Sequence, residues 1–166
     1  MEDVKKINKN IEKHFTASAL IIKEGKVLLV NHKELGVWLY PGGHVENNET
    51  PDETAIREAK EETGLDVEIV GDKDNKLANM EANVFVLHHP YVILCEKIRV
   101  NPEHYHIDMV YRCKIISEKP DRIINNSKKI KETGFFGLDD LNKINLFPNL
   151  RKLLEKVLKE ECYKNL

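Results

Sequence analysis

An α/β fold is the class this sequence predicts, and three observations point to it. Short apolar runs of strand character recur between turn signals, beginning with residues 15–22 and 26–31 and ending with 133–138. A helix is marked at both ends between Pro51 and Gly64. A longer amphipathic helix closes the pattern from Pro148 to about Glu161. The 166 residues fit a single domain, 1–166, because domains commonly run about 100–200 residues. A hydrophobic content of 41% supports a globular chain.

Taken in order, residues 3–13 read as a short amphipathic helix, with Val4, Ile7 and Ile11 at helical spacing. Residues 15–22 and 26–31 read as a strand pair around a tight turn at Gly25. Residues 35–39 form a further short strand leading into Pro41-Gly42-Gly43, and Trp38, the only tryptophan, is assigned to the core. His44 and Glu46 alternate with Val45, so an inward Val45 turns both polar side chains to the opposite face. After the marked helix, residues 65–70 read as a strand and 71–83 as a polar loop. Residues 84–87 and 91–96 are strand-like, divided by an exposed turn at His88-His89-Pro90. The strand reading resumes over 101–116, a polar loop follows over 119–131, and residues 139–144 suggest a short helix. In the last helix, 148–161, Leu150, Leu153, Leu154, Val157 and Leu158 make the apolar face. No internal repeat or low-complexity segment is present.

Composition narrows the partners. A net charge of −2 offers no global attraction for nucleic acid or an anionic membrane. No apolar run approaches the roughly 20 residues of a membrane span, and the opening MEDVKKINKN is too polar for a signal peptide. Cys95, Cys113 and Cys162 are odd in number and form no CxxC or Cys/His zinc pattern, which suits a reducing cytoplasm. Cys95 and Cys113 fall in strand-like runs and read as buried small apolar residues.

The chemistry concentrates on the marked helix. Thr50 can cap it, Pro51 suits the first helical position, Glu53 stands where a capping-box carboxylate belongs, and Gly64 can end it. Glu58, Glu61 and Glu62 fall on one helical face, with Cβ atoms about 5–6 Å apart. A solvated acidic face is the plain reading of such a cluster. Two features favour a site. Arg57 lies beside the carboxylates and one turn before Glu61, and the preceding Pro41-Gly42-Gly43 turn can direct a backbone carbonyl inward. Carboxylates with a carbonyl are hard oxygen ligands of the sort preferred by Mg²⁺ and Mn²⁺.

Gly43, five residues, Glu49, seven residues, Arg57-Glu58-Ala59, one residue, Glu61-Glu62, one residue and Gly64-Leu65 together resemble the Nudix box. The run HFTASALIIKEGKVLLV…WLYPGGHVE before it and the strand-then-helix ending are similar to the same family, so the likeness covers roughly residues 14–160. Ala59 departs from the larger aliphatic residue usual there, which alters packing and removes no ligand. The resemblance implies a Nudix (MutT-like) hydrolase with an α/β/α sandwich around a mixed β-sheet and the box (43–65) as a loop–helix–loop at its edge. It further implies Mg²⁺ (or Mn²⁺) as cofactor and a small nucleotide or other diphosphate as substrate. The metal would be held by Glu58, Glu61, Glu62 and the carbonyl of Gly42 or Gly43. Arg57 would hold a glutamate in place, Glu58 would bind metal or activate water, and Glu49 would support the box. The chain would act as a monomer or homodimer.

Outside the box, His104, His106 and Asp108 lie on one face of a strand, with Tyr105, Ile107 and Met109 on the other. Three convergent titratable groups suit a strand lining a phosphate site. Family members can supply a further ligand or base from this region, so Glu103, His104 and His106 join Glu46 and His44 as secondary candidates. A zinc site from His104, His106 and Asp108 is a weaker alternative. Nucleoside triphosphates, nucleotide sugars and dinucleoside polyphosphates all stay open as substrates. The chain lacks an early proline after the box of the kind that helps mark ADP-ribose hydrolases, since the first is Pro90. Two readings of other classes are a nucleotide-sensing domain without turnover and a diphosphate isomerase, which needs a cysteine at the site.

Overall fold

The apolar runs assemble into one mixed sheet with a helix on each face. A computed structural model describes residues 6–99, 101–116 and 127–164. Strands Lys13–Lys23 (β1), Lys26–His32 (β2), Val37–Leu39 (β3) and Gly42–His44 (β4) precede the helix Pro51–Thr63 (α1). Strands Val67–Ile69 (β5), Val92–Ile98 (β6), His104–Ile115 (β7) and Ile130–Phe136 (β8) follow, and Pro148–Lys164 (α2) is the final helix. The path through the sheet is β3-β2-β1-β7-β5, with β4 added to β1, β6 to β7 and β8 to β2. β1 and β7 run parallel from the Lys13–Tyr105 pair to the Ile21–Cys113 pair, whereas the other pairings are antiparallel.

Strand alternation sends side chains to two separate cores. Ala17, Ala19 and Ile21 of β1 pack with Tyr111 and Cys113 of β7 beneath Ala55 and Ala59 of α1. Leu20 of β1, Val27 and Leu29 of β2 and Val110 of β7 pack on the opposite face beneath Leu150, Leu154, Val157 and Leu158 of α2. The result is an α/β/α sandwich. Alanines of α1 and β1 meet in the first core, whereas leucines dominate the second. Trp38 belongs to the α2 core and meets Phe136 edge to face, with ring centroids 4.6 Å apart. Arg112 on β7 fastens the C-terminal turns of α2 through Glu161 and stacks over Tyr91 at 5.5 Å.

Several elements differ from the sequence reading. Of the helix expected over 3–13, residues 3–5 lie outside the described residues. Residues 6–12 are turned or extended, and β1 begins at Lys13. Asn10 N–H donates to the Asn8 side chain, and Tyr105 N–H to the Glu12 carbonyl, so local polar bonds and sheet pairing displace the helix. The strand expected over 84–87 is absent. Val84 makes one bridge to Asn79 across a tight turn containing Asn83 at φ 54°, and Phe85 and Leu87 stay exposed. The loop expected through 131 ends earlier, because buried Ile130 already pairs with β2; its residues 119–126 lie outside the described residues. The short helix at 139–144 is a 3₁₀ turn, Leu138–Lys143. The final helix runs past 161. Cys113 is buried as expected, but Cys95 is exposed, because it sits on the outward side of β6.

The alanine interface sets how close α1 lies to the sheet. Ala59 is fully buried against a bed that includes Ala17 and Ala19. Replacing Ala59 by Leu overpacks that bed and is expected to destabilise the fold by about 1–3 kcal/mol, read as a lower denaturant midpoint at unchanged slope. A midpoint equal to or above that of the parent would show that α1 has room to retreat.

Candidate active site

The ends of α1 explain its position. Glu53 reaches back to the Thr50 N–H at 2.8 Å, and Gly64 adopts φ 74° with its N–H on the Lys60 carbonyl at 2.9 Å. The Thr50 hydroxyl departs from the expected cap, lying 2.6 Å from Asp52 Oδ1 rather than on a backbone N–H. Asp52 also meets His88 Nδ1 at 3.0 Å, which ties the loop after β5 to the first turn of α1. That contact accounts for His88, while His89 is exposed.

Arg57 is the hub of the acidic face. Its Nε donates to Glu49 Oε1 at 2.6 Å and its Nη2 to Glu49 Oε2 at 3.0 Å, a two-pronged carboxylate pair. Its Nη1 reaches Glu58 Oε1 at 2.8 Å and Glu61 Oε2 at 3.4 Å, and Nη2 also meets the His44 carbonyl at 3.3 Å. Hydrogen bonding from Arg57 holds the Glu49 carboxyl below the usual range, and the pairing pushes the guanidinium further up. Thr54 Oγ1 donates to Glu49 Oε2 at 2.9 Å and completes the anchor.

Glu62 is the buried member of the acidic group, only 7% exposed, and accepts from Gly42 N–H at 3.3 Å. Burial, and then the neighbouring Glu58 charge, push its carboxyl up to about 7, against the opposing pull of the Gly42 hydrogen bond. β4 supplies that contact because its ladder alternates. Pro41 O and Val45 N bond to β1, and Gly43 stands opposite Ala17, so the backbone of Gly42 faces away from β1. The outward carbonyl of this turn is therefore that of Gly42 rather than Gly43. Glycine at 43 lets the Glu58 carboxyl sit where it does, since a Cβ there would displace that carboxyl.

A cleft of about 910 Å³ opens beside this group. Gly42, Gly43, Glu46, Arg57, Glu58, Glu61 and Glu62 form one wall, and Lys97, Arg99 and Lys129 stand on its lining with Leu35, Leu39 and Phe147. Across it lies Asp108, 4% exposed, which accepts from Thr16 Oγ1 (3.0 Å), Ser18 Oγ (2.9 Å) and Tyr40 OH (3.1 Å). Burial pushes Asp108 up, and the hydroxyls pull it partly back. Glu96 on β6 is also raised, by burial and then by Asp108, and accepts from Asn149 Nδ2 at 3.1 Å. Sequence reading missed Glu96, Tyr40 and Asn149. The signal for Glu96 was its register, directly opposite His106 on the neighbouring strand, which becomes visible once β6 and β7 are paired.

The remaining candidates divide. His44, Glu46 and His106 line the cleft with the acidic group. Glu103 pairs with Lys97 at 2.9 Å, and both are substantially exposed. His104, His106 and Asp108 share a face as expected, yet Asp108 turns to its three hydroxyls, while the two histidines gather with His14 and His44. His106 is pushed down to about 4 by burial and then by His44, His104 and His14; burial, and then His14 and His104, lower His44. No cysteine is among the described residues lining the cleft, and burial pushes the Cys113 thiol up to about 12.

Comparison with known proteins converges on one family. The sequence pattern of the NUDIX domain matches residues 12–157. The chain is 47% identical over 60 residues to a probable DHNTP pyrophosphohydrolase of Lactococcus lactis, covering 36% of this chain and 35% of that protein. It is 39% identical over 66 residues to an ADP-ribose pyrophosphatase of Methanocaldococcus jannaschii, covering 38% and 39%. The matched segments thus span little more than a third of these curated relatives. The crystal structure of a NUDIX-family hydrolase from Clostridium perfringens superposes with a TM-score of 0.74 at 33% identity, covering 88% of this chain and 96% of that one. Among the described residues, no helix is long and apolar enough to cross a membrane.

The raised Glu62 carboxyl has a signed consequence for metal-free protein. Folded, it keeps its proton up to about pH 7, against 4.5 for the ordinary group. Folding therefore takes up a proton between those values, and the stability this confers is present below about 4.5 and lost as pH rises through 7. In EDTA, Glu62→Gln is expected to gain stability over the parent at pH 8, on the order of 2 kcal/mol, and to show little advantage at pH 4. Chemical unfolding at the two pH values measures it; an advantage independent of pH would refute the assignment.

Proposed function

Because the chain belongs to the NUDIX domain family, we propose that it hydrolyses a diphosphate linkage joining a nucleoside diphosphate to another moiety, with Mg²⁺ or Mn²⁺ as its cation. The observation that carries this reading is the pair Glu58 and Glu61, held by Arg57, beside Glu62, which accepts from the outward Gly42 N–H, all on the wall of a large cleft. The donor set fits a hard cation, being carboxylate and carbonyl oxygen throughout. Glu62 is a buried carboxylate whose raised proton affinity marks a place where positive charge is wanted.

In this reading Glu61, Glu62 and the Gly42 carbonyl are the principal ligands, with the flanking Gly43 leaving room for Glu58. Glu58 adds a ligand or takes a proton from the attacking water. Arg57 keeps the carboxylates in register, and Glu49 anchors Arg57. A divalent cation bound there offsets the charge of the diphosphate and polarises its phosphoryl oxygens. Lys97, Arg99 and Lys129 can pair with outer phosphate oxygens, while Leu35, Leu39 and Phe147 offer apolar surface to the attached moiety. The names of the similar proteins place DHNTP and ADP-ribose among the compounds to test, beside nucleoside triphosphates, nucleotide sugars and dinucleoside polyphosphates.

The test separates the products across that panel with Mg²⁺, with Mn²⁺ and with EDTA: phosphate or pyrophosphate released from triphosphates, and the two phosphorylated fragments released from ADP-ribose, nucleotide sugars and dinucleoside polyphosphates. Cation-dependent release is expected from at least one class, falling by more than about a hundredfold in Glu61→Gln, since several kcal/mol of transition-state charge stabilisation is lost. Arg57→Lys is expected to lower kcat as well, because an ammonium cannot span Glu49 and Glu58 together. Tight nucleotide binding without release from any compound would instead identify a sensing domain.

A further inference from the structure

Four imidazoles meet on the face of the sheet opposite α1. His14 stands on β1, His44 on β4, and His104 and His106 on β7. The register brings them together. His14 pairs with His106, His44 pairs with Thr16 two residues further along β1, and His104 precedes His106 by two. Period-two alternation then points all four the same way from three adjacent strands. One ring nitrogen from each lies within 4.8 Å of those of the other three. The rings are half-buried, with His44 exposed, so an ion has access from solvent.

Two details give the cluster the chemistry of a ligand set. His104 Nδ1 lies 2.9 Å from the Pro102 carbonyl, which can only accept, so Nδ1 carries the proton and Nε2 the lone pair. That Nε2 faces His106 Nε2 at 3.1 Å. Nitrogens about 2.0–2.1 Å from a tetrahedral zinc ion stand roughly 3.3 Å apart, so this pair already has the spacing of one tetrahedral edge. His14 Nε2 lies 3.3 Å from Glu12 Oε1, the carboxylate–histidine arrangement that orients a metal-binding ring and leaves its lone pair on Nδ1. Asp108, the third member of the sequence-level grouping, is held instead by Thr16, Ser18 and Tyr40.

We propose that His14, His44, His104 and His106 form a transition-metal site, with zinc as its ion, separate from the glutamate group on α1. Imidazole suits zinc, whereas Mg²⁺ and Mn²⁺ favour the oxygen ligands of the glutamates, so the two sites sort cations by donor type. Four protein ligands close a tetrahedral sphere, which makes this a structural centre. It clasps β4 to β1 and β7, and β4 carries Gly42 and Gly43 immediately before His44. The clasp therefore holds the strand against which Glu58 and Glu62 are set, and it does not depend on the hydrolytic reading.

The test uses the full chain, stripped of metal, equilibrated with Zn²⁺ and freed of excess. Metal content is measured for the parent, for His104→Gln with His106→Gln, and for Glu61→Gln with Glu62→Gln. Zinc K-edge absorption on the parent reads the ligand shell and decides the matter if a variant fails to fold. One zinc per chain is expected in the parent and in the glutamate variant, with a nitrogen shell at about 2.0–2.1 Å and imidazole outer scattering. Retained zinc should fall by more than about tenfold in the histidine variant. Background zinc in the parent, an oxygen-dominated shell, or zinc lost with the glutamates and kept without the histidines would each overturn the proposal.

Discussion

Like charges crowded on one helical face are held together by a single guanidinium, and the candidate site depends on it. Two carboxylates about 5 Å apart repel by roughly 1 kcal/mol in water and roughly 3 kcal/mol at the effective dielectric of a protein surface. Arg57 meets Glu58 and Glu61 with one nitrogen and fixes itself to Glu49 with the other two. A lysine could neutralise charge there, but it could not hold two directions at once. Glu62 lies beyond the hydrogen bonds of Arg57, and burial first, then the Glu58 charge, raises its proton affinity.

Small side chains translate that arrangement into position. Alanines at 17, 19, 55 and 59 let α1 settle close to β1, and Gly43 lets the Glu58 carboxyl approach a strand backbone that any side chain would block. The outward turn of Gly42 then follows from antiparallel alternation, which gives every second residue of β4 to β1 and the others to the helix. The departure at Ala59 thus belongs to a consistent interface: small residues on the helix meet small residues on the strand.

The opposite face of the same strands sorts its polar groups by partner. Asp108 is surrounded by hydroxyls, Glu96 is held by Asn149 from α2, and the histidines collect where β1, β4 and β7 begin to run side by side. Acidic, cationic and apolar surfaces therefore border one cleft from separate elements.

The sequence by itself determined the layered α/β class, both ends of α1, the glutamate face, the flanking glycines and the apolar face of α2. Each is a local pattern: helical period, strand period, or a capping residue at fixed offset. Local patterns failed where pairing decides. The Asn-rich lead to β1 took its shape from Tyr105 and Glu12, Val84 closed a turn, and Cys95 was exposed by the pleat of β6. Only the tertiary structure set Glu96 beside Asp108, turned the backbone of Gly42 rather than Gly43 outward, and gathered His14 with His104, since each depends on which strands pair and in what register. Register between β1 and β7 is a property of the packed sheet, and a shift of one residue would send the imidazoles to the other face.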